Sequence, residues 1–247
     1  MRRSNASSSS SDVHVSPRIV SLVPSSTETL LSLGAPVTAC TRFCEQPGIP
    51  HVGGTKNPDI ERIIELAPDF VVMDREENRR EDADTLAAVG IELFVSDVTT
   101  VDAAERVVID LADRAGRPRP DSTVPPSTAS AGATAFVPIW RRPWMSINRL
   151  TYAADLLARL GIVLVTDEDP DTYPIVDLDE VVARRPTVVL VPSEPYEFRD
   201  VHLDELRAAF GAGVPVVRVD GRDLFWWGSR TAGAVSRLGS QLAPLIA

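Results

Sequence analysis

Two glutamates, Glu76 and Glu194, occupy equivalent places in two near-copies of one sequence unit. The first copy runs NPDIERIIELAPDFVVMDREEN, Asn57 to Asn78, and the second VDLDEVVARRPTVVLVPSEPY, Val176 to Tyr196. Set opposite each other across a cleft, such a pair could ligate a hard or borderline metal, accept hydrogen bonds from polar ligand groups, or merely complement a helix N-terminus. Arg75, Arg141, Arg142, Arg222 and Lys56 belong to the same loops, so a carboxylate-bearing chelate fits as well as a bare cation. Trp140, Trp144, Trp226 and Trp227 lie in the polar contexts WRRPWM and DLFWWGS, where ligand contact competes with ordinary core packing.

Catalytic signatures are mostly missing. There is no G-x-S-x-G elbow, no phosphate-cradling G-x-x-x-x-G-K and no H-E-x-x-H. Gly211-Ala212-Gly213 precedes an apolar run instead of following one, so it reads as a turn and not as a dinucleotide fingerprint. The histidines are His14 in a serine-rich tail, His51 in a loop and His202 on an expected helix surface. Cys44 with His51 is the sequence-local couple for a thiol nucleophile. Cys40 and Cys44 are four residues apart and read as two free thiols, with a disulfide or half a metal site as the competing readings.

These side chains need elements to position them, and the repeat supplies the pattern. Aligning Pro68 with Pro186 gives an offset of 186 − 68 = 118, which also pairs Asp59 with Asp177, Val71 with Val189 and Glu76 with Glu194. Before each proline the apolar residues are spaced as on a helix; after it comes a short β-branched block suited to a strand buried on both faces. Each copy is therefore a helix, a tight turn and a parallel-type strand. Further strands are expected at Pro17 to Val23, Val37 to Cys40, Ile91 to Val95, Ala133 to Trp140, Ile162 to Val165 and Val214 to Val219. Helices are expected after Ser25 or Ser26 as N-cap, and near Asn78 to Val89, Val101 to Ala115, Arg149 to Leu160, Val201 to Phe210 and Ser229 to Leu245. Leu33-Gly34 and Leu160-Gly161 end the first helix of each half alike.

The fold class that follows is α/β: two Rossmann-like lobes with parallel-type sheets, joined by one crossing segment, with a ligand cleft between them. The expected divisions are a disordered tail at 1–16, an N-terminal lobe at 17–100, a crossing helix and linker at 101–132, and a C-terminal lobe at 133–247. The linker, GRPRPDSTVPPSTASAG, carries four prolines and no apolar periodicity. In open parallel sheets ligands gather beyond the C-terminal strand ends. That rule collects Ser25, Phe43, Glu45, Gly54, Thr55 and Lys56, then Arg75, Glu76, Glu77 and Asn78, from the first lobe. From the second it collects Trp140, Arg142, Trp144, Glu194 and Tyr196, and Phe225, Trp226 and Trp227.

A formal charge of −10 opposes sequence-independent nucleic-acid binding, and no apolar run is long enough to span a membrane. MRRSNASSSSSDVHVSPR lacks the apolar core of a secretory signal, so as written the chain reads as cytoplasmic, and as periplasmic or cell-surface if the true start lies upstream.

RIVSLVPSSTETLLSLGA, VGGTKNPDIERIIELAPDFVV and VPVVRVDGRDLFWWGSR resemble the three best-preserved segments of the helical-backbone solute-binding proteins of ABC importers. The resemblance covers essentially Pro17 to Ala247 and is nearest in look to the cobalamin-binding branch. It implies a non-enzymatic monomer that holds a corrinoid, ferric siderophore or haem between its lobes and needs no cofactor of its own. It also implies that Phe43 is an aromatic ligand contact, that Thr55, Lys56, Arg75 to Asn78 and Phe225-Trp226-Trp227 line the cleft, and that Glu61 docks onto an ABC permease. Asp223 is only a poor substitute for the second docking acid, and the proline-rich linker stands where the bridging helix would continue. The alternatives are an intracellular carrier or sensor of the same ligands, and a small hydrolase or thiol enzyme using Cys44.

Overall fold

The computed structural model describes residues 16–121, 124–125 and 132–246. The serine tail with His14, and the linker at 122–123 and 126–131, lie outside the described residues. The N-terminal lobe opens with β1 (Ile19–Ser21), α1 (Pro24–Ser32) and β2 (Val37–Cys40), followed by α2 (Ile60–Glu65), β3 (Phe70–Asp74), α3 (Arg80–Ala88) and β4 (Glu92–Ser96). Its four strands are parallel in the order β2-β1-β3-β4. The crossing helix is α4 (Val101–Arg114). The C-terminal lobe then runs β5 (Ala133–Phe136), β6 (Trp144–Met145), α5 (Tyr152–Arg159), β7 (Ile162–Leu164), β8 (Ile175–Val176), α6 (Leu178–Ala183), β9 (Val188–Pro192), α7 (Asp200–Phe210), β10 (Val216–Val219), α8 (Gly221–Phe225) and α9 (Thr231–Ile246). Its main sheet, β10-β9-β5-β7, is also parallel and repeats the order of the first.

The internal repeat is conformational as well as compositional. Helices α2 and α6, and strands β3 and β9, begin and end at the same 118-residue offset. Asp59 and Asp177 each cap their helix through the side chain, accepting from Arg62 N–H in one lobe and from Asp179 and Glu180 N–H in the other. Ala67 (φ 44°) and Arg185 (φ 52°) both take the left-handed conformation just before the proline. That position closes the helix while the following proline forbids its continuation. Every residue of β3 and β9 is buried, as continuous β-branched runs in a parallel sheet require.

Some expected boundaries move. Helix α1 begins at Pro24, with Val23 as its N-cap, so neither Ser25 nor Ser26 caps it. Proline is preset for the first helical position, and both serines are buried one step further in. The strand expected to reach Trp140 stops at Phe136, and the helix expected from Arg149 starts at Tyr152 because the Thr151 hydroxyl accepts from Ala154 N–H. Strands β6 and β8 form a small antiparallel pair, and α8 is a further short helix before α9.

One hydrophobic core runs through both lobes. It joins Ile19, Phe70 and Val72 of the first sheet to Ala135 and Leu190 of the second, by way of Leu111 of α4, Leu156 of α5 and Leu238 of α9. Separate clusters cover the outer face of each sheet. Polar contacts reinforce this junction. The Asp155 carboxylate accepts from Val101 N–H (2.8 Å) at the start of α4, and Arg159 pairs with Asp102. Gly228, at φ 110°, lets the chain before α9 press on α1: a Cβ there would lie 2.2 Å from Thr29 Oγ1, which accepts from Ser229 N–H (3.1 Å). Among the described residues no helix is long and apolar enough to cross a membrane.

Candidate functional site

The C-terminal ends of both parallel sheets open onto one interlobe cleft, a cavity of about 230 Å³. Ser25 after β1 and Asp74, Glu76 and Glu77 at the end of β3 form one wall. Ile139 beyond β5 and Glu194-Pro195 after β9 form the other, and Phe225, Trp226 and Trp227 at the end of α8 supply an aromatic face. Of the residues expected from sequence, Ser25, Glu76, Glu77, Glu194, Phe225, Trp226 and Trp227 meet here. Asp74, which the strand-end rule also brings in beside Arg75 to Asn78, joins them, and the structure adds Tyr152 and Tyr173, together with the apolar Val98, Ile139 and Ile147. Tyr173 and Tyr152 carried no sequence signal, one lying in a loop outside the repeat and the other at the start of a helix read as core.

The repeat-related glutamates do line opposite walls, and each already has a partner. Tyr173 Oη reaches across from the second lobe and donates to Glu76, 2.9 Å from both carboxylate oxygens. Trp226 Nε1 donates to Glu194 Oε1 (2.6 Å), and Arg222 stands 3.9 Å from the other Glu194 oxygen. Gly221 makes room for Glu194, since a Cβ would meet its backbone N at 2.7 Å. Asp74 is buried; its carboxylate accepts from Ser96 Oγ (2.7 Å) and Glu76 N–H (2.9 Å). A second interlobe contact, Arg222 to Glu45 (2.5 Å), lies beside the cleft.

Burial sets the electrostatics. Desolvation raises the carboxyl pKa of Asp74, and that of Glu194 despite its Trp226 and Arg222 partners. Glu77 exposes much of its surface, yet its carboxyl is hemmed in within the cleft, and that desolvation, with Asp74 beside it, raises it too. Burial pushes the Tyr152 hydroxyl up to about 12, while Tyr173 rises through burial and the Glu76 charge. Both tyrosines are neutral donors at neutral pH.

The expected cations are engaged elsewhere. Arg75 pairs with Asp97 (2.8 Å), Arg141 with Glu205 (2.7 Å), and Lys56 donates to the Glu76 carbonyl. Asn78 and Thr55 are buried braces: Asn78 donates to the Thr55 carbonyl (3.0 Å) and accepts from Asp74 N–H (2.8 Å). Gly54 is a packing glycine, with Asn57 Oδ1 2.5 Å from where a Cβ would stand. Phe43, 49% exposed beneath the Arg42 guanidinium, is outside the lining. So are Trp140, Trp144, Tyr196 and Arg142. Trp140 packs edge-on against Tyr196 (5.1 Å) and Trp144 stacks on Phe198 (6.1 Å) in a separate aromatic cluster. His202 belongs to that cluster and is buried, not on a helix surface; its Nδ1 accepts from Arg199 N–H (3.0 Å).

Cys40 and Cys44 are free and buried. Cys44 Sγ lies within hydrogen-bond reach of the hydroxyls of Thr27 (3.2 Å) and Thr41 (3.3 Å). The Cys40 contact first, then these hydroxyls, draw the Cys44 thiol below its ordinary range, and the same contact raises Cys40. His51 is exposed and faces the Gln46 carbonyl (3.3 Å), so the couple needed for a thiol nucleophile does not form. Among the described residues no group of three or more His, Cys, Asp or Glu could hold a metal ion, so Glu76 and Glu194 do not make a metal site with their neighbours.

Two parallel-sheet lobes sharing one core, with an aromatic and acidic cleft between their strand ends, are the architecture of two-lobed solute-binding proteins. The family model described as "Periplasmic binding protein" matches residues 19–123. The vitamin B12-binding protein of Yersinia pestis (strain Pestoides F) is 26% identical over 204 residues, covering 70% of this chain and 69% of the relative. Among solved structures, the periplasmic vitamin B12 binding protein of Vibrio cholerae superposes with a TM-score of 0.68 at 19% identity, covering 93% of this chain and 98% of that one. A periplasmic heme binding protein from Pseudomonas aeruginosa gives 0.74 at 16% identity, covering 93% and 94%. The chain is thus similar to periplasmic binding proteins in sequence over residues 19–123 and shares the fold of these solved structures.

Proposed function

We propose that the protein is the substrate-binding component of an ABC-type importer and holds a corrinoid, or another metal chelate such as haem or a ferric siderophore, in the interlobe cleft. The observation that carries this reading is the convergence of Phe225, Trp226 and Trp227 with Tyr152 on a cleft at the ends of both sheets. Such a surface stacks on a flat macrocycle while a few polar groups fix its orientation. The cavity of about 230 Å³ is smaller than a macrocycle needs, so the ligand extends beyond it. Phe43, two residues from the Glu45–Arg222 contact, and the 45%-exposed Trp140, adjoining Ile139, are its outer contacts.

Glu61, exposed on α2 and free of ion pairs among the described residues, is the permease-docking acid. Asp223 is not a second one, because Arg230 and Arg237 occupy its buried carboxylate. Work beside a permease places the protein in the periplasm or at the cell surface, as a monomer without enzymatic activity.

Isothermal titration with cyanocobalamin, haem and a ferric siderophore tests the reading. A one-to-one isotherm tighter than about 1 μM, roughly −8 kcal/mol, is expected with at least one of them, and silence from all three overturns it. Cys44→Ala separates binding from thiol chemistry. It should leave affinity unchanged and cost about 1 kcal/mol of stability, because Thr27 keeps its bonds to Ser21 and the Val23 carbonyl.

A further inference from the structure

The polar groups of the cleft are unbalanced in charge. Asp74, Glu76, Glu77 and Glu194 line it, and no lysine or arginine is among the lining residues. The nearby guanidinium of Arg222 is shared between Glu45 and Glu194, and Arg75 is turned to Asp97. Three of the acids are committed, Asp74 to Ser96 and backbone amides, Glu76 to Tyr173 and Glu194 to Trp226. The Glu77 carboxylate has no hydrogen-bond or ion-pair partner among the described residues, Lys56 acting on it only through its charge, so it is a free acceptor within the cleft.

Ser25 is the complementary observation. It lines the cleft, is only 7% exposed, and its hydroxyl has no partner among the described residues. It stands in the first turn of α1, where backbone N–H groups also lack intrahelical acceptors. Its hydroxyl opens onto the cleft, where a bound group can take the place of water. The cleft therefore offers an unused acceptor that is anionic and an unused donor at a helix start.

Resting on the reading of a macrocycle in this cleft, we propose that the edge inserted here carries neutral groups that both donate and accept, primary amides or hydroxyls, and that Glu77 and Ser25 select against free carboxylates. An amide nitrogen donates to Glu77 while its carbonyl accepts from Ser25 Oγ. A carboxylate has nothing to donate and stands among four like charges in a partly desolvated site, where repulsion is strong. The cleft thereby rejects a chelate whose buried edge is anionic, although its aromatic face would stack on either kind.

Titration of the whole chain with cyanocobalamin, with cobalamin in which one peripheral amide has been hydrolysed to the carboxylate, and with haem, which carries two propionates, tests the selection. Cyanocobalamin should bind, with the monocarboxylate and haem at least tenfold weaker. Glu77→Gln should narrow that gap severalfold, and Ser25→Ala should weaken the amide form more than the carboxylate. Equal affinity for amide and carboxylate forms, or tighter binding of haem, overturns the selection and leaves the macrocycle reading standing. Silence from every corrinoid and haem overturns both.

Discussion

Asp223 shows how much a single carboxylate can organise. Arg237 donates to both its oxygens (2.6 Å each) and Arg230 to one (3.1 Å), while Arg230 also grips both oxygens of Glu28 on α1 (2.7 and 2.9 Å). The hydrogen bonds from Arg237, and then the two positive charges, hold the Asp223 carboxyl below its usual range. A depressed folded-state pKa means stability that is present above the unfolded value near 3.9 and lost as pH falls through the folded one. Asp223→Asn should therefore cost about 2 kcal/mol at pH 7, and its difference from the wild type should shrink below about pH 4. Chemical denaturation of both proteins across pH measures this. The comparison must be a difference, because Asp74, Glu77 and Glu194 are shifted upward and act with the opposite sign.

At the scale of elements, the helix–turn–strand unit carries the same backbone feature twice. Ala67 and Arg185 are exposed, non-glycine residues with φ of 44° and 52°, each two residues past the end of its helix. A side chain in the left-handed region costs roughly 1–2 kcal/mol, and glycine removes that cost while adding freedom to the unfolded chain. Ala67→Gly and Arg185→Gly should each stabilise the protein by about 0.5 kcal/mol. Their effects should add, since the two turns lie in different lobes. A melting temperature lowered by either change would show that the turn is not strained. The proline after each turn explains why the chain tolerates the conformation, as a residue before proline is kept from continuing the helix.

For the whole molecule, the shared core decides how the lobes move. The proline-rich linker stands where a longer bridging helix would hold them, and α4 ends at Arg114. The lobes are nonetheless joined by apolar packing through α4, α5 and α9, and by the Glu28–Arg230 pair. Separating them would expose buried core, so ligand binding should shift the cleft walls by about 1 Å and little else. Solution scattering of the chain with and without bound cyanocobalamin checks this, and large compaction would refute it.

Local physics explains why so much of this fold was legible in the sequence. Apolar spacing and β-branched blocks report which faces are buried, and a repeat at one offset points to two like lobes and to equivalent loops after their strands, whereas the strand order came from the structure. Those signals located Ser25, Glu76, Glu77, Glu194 and the Phe225-Trp226-Trp227 run. They could not give the charge of the cleft, because charge there depends on partners far away in the chain: Glu45 meets Arg222 across 177 positions and Glu28 meets Arg230 across 202. Loop cations that suggested an anionic ligand are spent in such pairs, and Tyr173 enters the site from a loop with no pattern of its own. Two lobes and strand ends that open onto one cleft could be read from the chain's own pattern; which side chains remain unpaired there could not, since ion pairs form by proximity in space and leave no period in the chain.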